Sequence, residues 1–255
     1  MIYDLQKANM LKRISAWILD IILLLVAVTG VAWLLSVATG YDSYSQKLDE
    51  IYAGYEAEYG IKIDISAEEF AALSEEEKAR YREADRALQE NEEALVAYNM
   101  SVNLTLIITT LSVVLAYLIL DFAVPLFFGN GQTLGKKVFG IALMRTDGVK
   151  ITPLMLFVRT LLGKCTVETL IPVFIVIMIV FGNLGILGTV LLFCFAVVQL
   201  ILVAATQKNS AIHDLMAATV AVDLASQMIF ESEAEMLAYK NKIHAENAAR
   251  SKYIP

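Results

Sequence analysis

The chain has 255 residues, of which 58% are hydrophobic and only 18% charged, and its mean hydropathy is positive. That balance excludes an ordinary soluble domain and points to an integral membrane protein. The formal charge of −7 is unevenly placed, because residues 41–100 hold 16 acidic and 6 basic side chains while the rest of the chain holds 11 acidic and 14 basic.

In chain order, the first element is the run from Leu11 to Gly40. From Ile14 to Ala38 it is apolar except for Ser15, Asp20, Thr29 and Ser36, which is long enough to cross the hydrocarbon core as a helix. Asp20 is the anomaly, since a carboxylate in a span costs roughly 2.5 kcal/mol or more at the membrane centre and is kept when it faces a protein partner or water. Arg13, two turns earlier on the same face, is read either as a headgroup-level anchor or as a member of a polar network with Asp20. The run is too long for a signal-peptide h-region and contains an acid, so an uncleaved span is expected.

Residues 41–100 are polar, acidic and free of proline. Ser66 followed by Glu69, and Ser74 followed by Glu77, have the capping-box spacing of two helix starts. From the second start Tyr81, Leu88 and Leu95 recur every seven residues, with Ala84 and Tyr98 between them. Tyr41, Tyr44, Leu48, Tyr52, Tyr55 and Tyr59 supply a facing stripe, so an extramembrane helical hairpin is expected between the first two spans. Its acidic surface is a solvated face or, as a sharper reading, a cation-collecting vestibule.

The second span runs from Val102 to Phe128 and again carries one carboxylate, Asp121, with Pro125 one turn beyond it. On oppositely directed helices Asp20 and Asp121 fall at matching depth, so the two are expected to face each other across the bundle or across a subunit interface. Between Gly129 and Lys164 lie Lys136, Lys137, Arg145, Lys150, Arg159 and Lys164 against one acid, Asp147. By the positive-inside rule this connection is cytoplasmic, with Lys136, Lys137, Arg145, Arg159 and Lys164 as a basic anchor. The glycine spacing from Gly131 to Lys137 does not match a phosphate loop. Residues 138–144 read as a segment packed at the membrane surface and Asp147–Gly148 as a turn.

Residues 154–181 begin amphipathically, with Arg159, Lys164 and Glu168, and continue as a third span. Gly182 to Gly188 forms a short turn and residues 186–205 a fourth span, followed by polar residues from Gln207 through His213 and Asp214 to Thr219. Asp214 is expected to start a helix or to pair with Arg13. The organisation is therefore an all-α polytopic membrane protein with four spans and interfacial amphipathic helices. Its segments are 1–40, 41–100, 101–223 and a charged helical tail, 224–255. With two cysteines, Cys165 and Cys194, in apolar surroundings and two histidines, neither a disulfide framework nor a zinc site is expected.

Three separated stretches, Lys12 to Asp20 (KRISAWILD), Gly131 to Gly140 (GQTLGKKVFG) and Ala211 to Thr219 (AIHDLMAAT), together resemble the RDD family of bacterial membrane proteins. The family is named for one arginine and two aspartates, which map to Arg13, Asp20 and Asp214. The resemblance covers residues 11–35 and 103–223 and leaves out the acidic insert and the tail. It implies a bacterial membrane protein, and the basic connection read with four spans puts both termini in the cytoplasm of a plasma-membrane protein. Some relatives look like cation/proton antiporters, and transport of an unknown ligand is the usual suggestion.

Two functions stay open from the residues themselves. Asp20 and Asp121 could trade a proton for a small cation, with Arg13 or Lys164 as competing charge. Alternatively Arg13, Asp20, Asp121 and Asp214 form a buried polar network in a scaffold, assembly factor or sensor, with the insert and tail as interaction surfaces. No nucleophile–base pair, metal cluster or phosphate loop supports an enzyme. The expected partners are membrane lipid, a small cation or proton, and a second copy or another membrane protein, with no cofactor and no nucleic acid.

Overall fold

A computed structural model describes residues 5–180, 184–206 and 210–251. Among the described residues, four helices are long and apolar enough to cross a membrane, Met10–Thr39, Glu92–Phe128, Pro153–Ile179 and Gly185–Ala205. The all-α, four-span architecture expected from the sequence is thus present. Parts of two expected connections, Gly182–Asn183 and Gln207–Asn209, and the last residues of the tail lie outside the described residues.

The chain divides into two compact units, one of Met1–Val28 with Val113–Pro255 and the other of Thr29–Ser112. The second unit contains the acidic region. Helix α1 (Met10–Thr39) is followed by α2 (Tyr41–Tyr59), with Gly40 between them at φ 67°, a left-handed conformation that glycine adopts without a Cβ penalty. Both expected capping boxes are formed: Ser66 starts α3 (Ala67–Ala72) and Ser74 starts α4 (Glu75–Glu90), each serine oxygen accepting from the backbone N–H of a glutamate that reaches back. All six residues of the tyrosine-rich stripe on α2 are half-buried, and α2 packs against α4. The phenol of Tyr55 donates to the Ala87 carbonyl at 3.3 Å and that of Tyr81 to the Ile63 carbonyl at 3.0 Å, which pins loop and helices together.

The seven-residue stripe does not continue through Leu95 and Tyr98, which are 42% and 46% exposed. Asn91 leaves the helical conformation and its side chain caps a new helix, α5 (Glu92–Tyr117), by accepting from the Ala94 N–H. A break of this kind resets the helical phase, so the buried face moves to Ala94, Ala97 and Ser101.

In the first unit the second span continues from α5 through a π-helical turn, π1 (Leu118–Ala123), into α6 (Val124–Phe128). After the short α7 (Leu134–Val138) comes a strand, β1 (Ile141–Arg145), where the sequence suggested a surface-packed segment. It pairs antiparallel with β2 (Thr219–Asp223), Ile141 opposite Asp223 and Arg145 opposite Thr219. Residues 6–8 lie along the other edge of β2. Ile141 and Leu143 pack on one side with Ala8, Ala16 and Leu156, while Ala142 and Met144 pack on the other with Val220 and Val222. A strand covered on both faces loses the alternating pattern of a half-exposed one and cannot be told from a membrane-surface segment by periodicity. The expected turn at Asp147–Gly148 is present, with Gly148 at φ 98°.

The third span is α8 (Pro153–Phe157), then thirteen π-helical residues, π2 (Val158–Leu170), then α9 (Ile171–Val180). The fourth is α10 (Gly185–Ala205), followed by α11 (Ile212–Met216), β2 and α12 (Glu233–Ser251). Helix α12 is seated by Met236 and Tyr239 against Val149 and Phe230.

Candidate functional site

Arg13, Asp20, Asp121, Lys136, Arg159, Lys164, Glu168, His213 and Asp214 of the first unit are gathered into a largely buried network at the ends of the spans. Its first part joins α1 to the connection that follows the second span. Thr133 N-caps α7, donates its hydroxyl to Asp20 Oδ2 at 2.5 Å and accepts from Lys136 Nζ at 3.1 Å. The backbone N–H of Gly135 donates to Asp20 Oδ1 at 2.8 Å, and Lys136 Nζ lies 3.5 Å from Oδ2. A Cβ on Gly135 would stand 2.7 Å from Asp20 Oδ1 and would meet the Ala16 carbonyl as well, so only glycine lets the loop come this close to α1. Gln132, itself buried, donates to the Ile141 carbonyl at 2.7 Å and fixes the loop to β1.

The second part joins the second and third spans. Asp121 on π1 pairs with Lys164 on π2. Pro125 lacks the N–H that an α-helix would offer to the Asp121 carbonyl, and the hydroxyl of Thr160 donates to that carbonyl instead, at 2.9 Å. The Lys164 ammonium stands 5.6 Å from the Tyr117 ring centroid, and the Tyr117 hydroxyl lies 2.8 Å from that of Thr169.

The third part is built around α11. Asp214 Oδ1 receives Arg159 Nε at 3.0 Å and Nη2 at 2.9 Å, and Arg13 Nη2 lies 3.9 Å from Oδ2. His213 Nδ1 stands 2.7 Å from Glu168 Oε2, while the His213 backbone N–H donates to Oε1 at 3.0 Å. From the fourth span Gln199 accepts the Ile212 N–H at 3.3 Å.

Burial sets the electrostatics. The Lys136 ammonium is pushed down to about 8 by desolvation, reinforced by Lys164 and Arg159 and opposed by Asp20 and Asp121. Burial alone would raise the Asp214 carboxyl, but Arg159, with His213 and Arg13, holds it well below the usual carboxylate range. His213 is pushed below its ordinary value, chiefly by burial with help from Arg159, against the pull of Asp214 and Glu168. Among the described residues, no group of three or more histidines, cysteines or carboxylates is arranged to hold a metal ion.

Of the residues singled out in the sequence, Arg13 and Asp214 do approach each other. Asp20 and Asp121 do not form the expected facing pair, because each is paired elsewhere: Asp20 with Thr133, Gly135 and Lys136, and Asp121 with Lys164. The basic anchor also divides. Lys136, Arg159 and Lys164 turn inward to carboxylates, whereas Lys137 is exposed with its ammonium 3.6 Å above the Phe128 ring. Arg145 reaches Asp147 at 2.6 Å and Glu233 at 2.7 Å, tying the end of β1 to α12. Thr133, Gly135, Thr160 and the Glu168–His213 pair were not foreseen. The first two lie inside the GQTLGKKVFG stretch and were legible as motif members without a role.

These features define a polytopic helical membrane protein whose span ends are joined by a buried, charge-paired network. The chain belongs to the RDD family, whose family model matches residues 7–218 and so takes in Arg13, Asp20 and Asp214. No curated protein matches the chain, and no solved structure does.

Proposed function

We propose that the chain is a non-enzymatic membrane scaffold of a bacterial plasma membrane, with both termini in the cytoplasm and the acidic region on the outer side as its interaction surface. The observation that carries this reading is the pairing of every carboxylate in the network with a base from another segment: Asp20 with Lys136, Asp121 with Lys164, Asp214 with Arg159, and Glu168 with His213. Polar side chains so matched join helices and fix their register. A matched carboxylate is also a poor trap for an added cation, because the protein's own ammonium or guanidinium has to be displaced first.

The test is flux in sealed proteoliposomes. The scaffold reading expects no cation-dependent proton movement above that of empty vesicles, in the wild type or in Asp20→Asn. Proton movement that depends on sodium or potassium, and that Asp20→Asn abolishes while the protein still inserts, would overturn it.

A second reading, exchange of a small cation for a proton, is favoured by one specific feature. Lys136, its ammonium pushed down to about 8, lies within reach of Asp20, and loss of its proton would leave that carboxylate without a counter-charge. The same flux experiment decides between the two.

A further inference from the structure

We propose that the third span contains a two-register segment, Val158–Leu170, held in its π-helical form by its side-chain pairs with Asp214, Asp121 and His213 and able to rewind as α-helix when they open. The inference goes beyond the scaffold reading and does not depend on whether a cation moves.

The winding determines which residues share a face. An α-helix advances about 100° per residue and a π-helix, at about 4.4 residues per turn, about 80°. Along π2 that places Arg159, Lys164 and Glu168 within about 50° of one another, whereas α winding would spread them over about 180°. Arg159 and Glu168 both meet α11, at Asp214 and His213, and the π register is what puts them on that one face, with Lys164 beside them toward Asp121.

Thirteen π-helical residues in succession are far more than the single turn in which this winding usually occurs. Side-chain partners must supply the stability that the winding lacks. Gly163 contributes by lying flat against α11, where a Cβ would come 2.5 Å from His213 Cβ. Asp121 stands on a π-helical turn of its own, packed against π2.

Rewinding has a defined mechanical result. With a rise of about 1.15 Å per π residue against 1.5 Å in an α-helix, the segment lengthens by about 4.5 Å and turns everything beyond it by more than half a revolution. The helix beyond it, α9, has the sequence IPVFIVIMIV and is apolar on every side, so turning it exchanges one apolar face for another. Opening the Lys164 and Glu168 pairs is thereby converted into motion of the far half of the span.

The test is a spin-label distance. Leu154 and Phe174, both exposed, flank the segment, and each is replaced by cysteine and labelled in a chain carrying Cys165→Ala and Cys194→Ala. In proteoliposomes the paired form should give one distance, and Glu168→Ala, which leaves His213 without its acceptor, should move it longer by about 4.5 Å. Asp121→Asn combined with Lys164→Met removes both charges of one pair without leaving a buried unpaired ion, and should lengthen the distance likewise. An unchanged distance in either folded variant overturns the proposal. Loss of fold in both also overturns it, because the pairs would then hold the membrane unit itself and not a switchable segment.

Discussion

Arg159 and Asp214, 55 residues apart in the chain, meet as an ion pair at 2.9 Å with side chains only 3% and 2% exposed. Two charges so far from water are each tolerable only because the other is present. Asp214→Asn should therefore destabilise the protein by about 3–5 kcal/mol, since it leaves a buried guanidinium with a neutral partner. The double change Asp214→Asn with Arg159→Met should cost less than the single one. Arg13→Gln should be milder than either, because Arg13 approaches at 3.9 Å. Denaturant titration in detergent micelles ranks the three, and equal losses for the single and double variants would contradict the pairing.

Gly135→Ala should weaken the protein by about 1–3 kcal/mol, because the methyl group meets both Asp20 and the Ala16 carbonyl. Gly129→Ala, where nothing lies within 4 Å, carries only the strain of its left-handed backbone at φ 76°. Comparing the unfolding midpoints of the two separates close packing from backbone preference, and a smaller loss at Gly135 would contradict the contact.

The depressed Lys136 gives a pH dependence of known sign. Its folded value near 8 lies below the ordinary 10.5, so between those pH values the unfolded chain holds more protons and stability rises with pH. The rise attributable to Lys136 is roughly 3 kcal/mol across the window, and Lys136→Met should remove it. Parallel stability–pH curves for wild type and variant between pH 8 and 10.5 would show that burial does not depress the Lys136 amine.

His213 acts at the acid end with the same logic. Its folded value lies below the ordinary 6.5, so stability should begin to fall as pH drops through 6.5 and protons bind preferentially to the unfolded chain. In His213→Gln that part of the acid limb should flatten, while the loss below about pH 4 that comes from Asp214 should persist. An unchanged limb near pH 6 would contradict the burial of a neutral imidazole.

Membrane sidedness is tested by labelling. Single cysteines at Gln89 and at Ser226, both exposed, in a background lacking Cys165 and Cys194, should react with an impermeant maleimide from opposite sides. In intact cells only the Gln89 position should label. Labelling of both would end the proposed topology.

The four spans, both capping boxes and the turn at Gly148 were legible because each rests on a local signal: length of apolar run, a serine three residues before a glutamate, a glycine after an aspartate. The site was legible only as a set of residues. Asp20 and Asp121 stood out as charges in apolar runs and Arg13 and Asp214 as motif members, but which base meets Asp121 and Asp214 depends on the π winding of the third span. Sequence spacing read at 3.6 residues per turn puts Arg159 and Glu168 on opposite faces. The β1–β2 ladder was hidden for a different reason, since burial of both faces removes the alternation by which a strand is recognised.

That ladder also orders the making of the protein. Strand β1 is synthesised before the third and fourth spans and β2 after them, so the ladder closes only once both of those helices have left the ribosome. Until then β1 offers an unpaired edge, apolar from Ile141 to Met144, of the kind that templates pairing with another chain. Completion of the sheet therefore waits on the third and fourth helices, and a chain cut short before β2 leaves β1 without its partner strand.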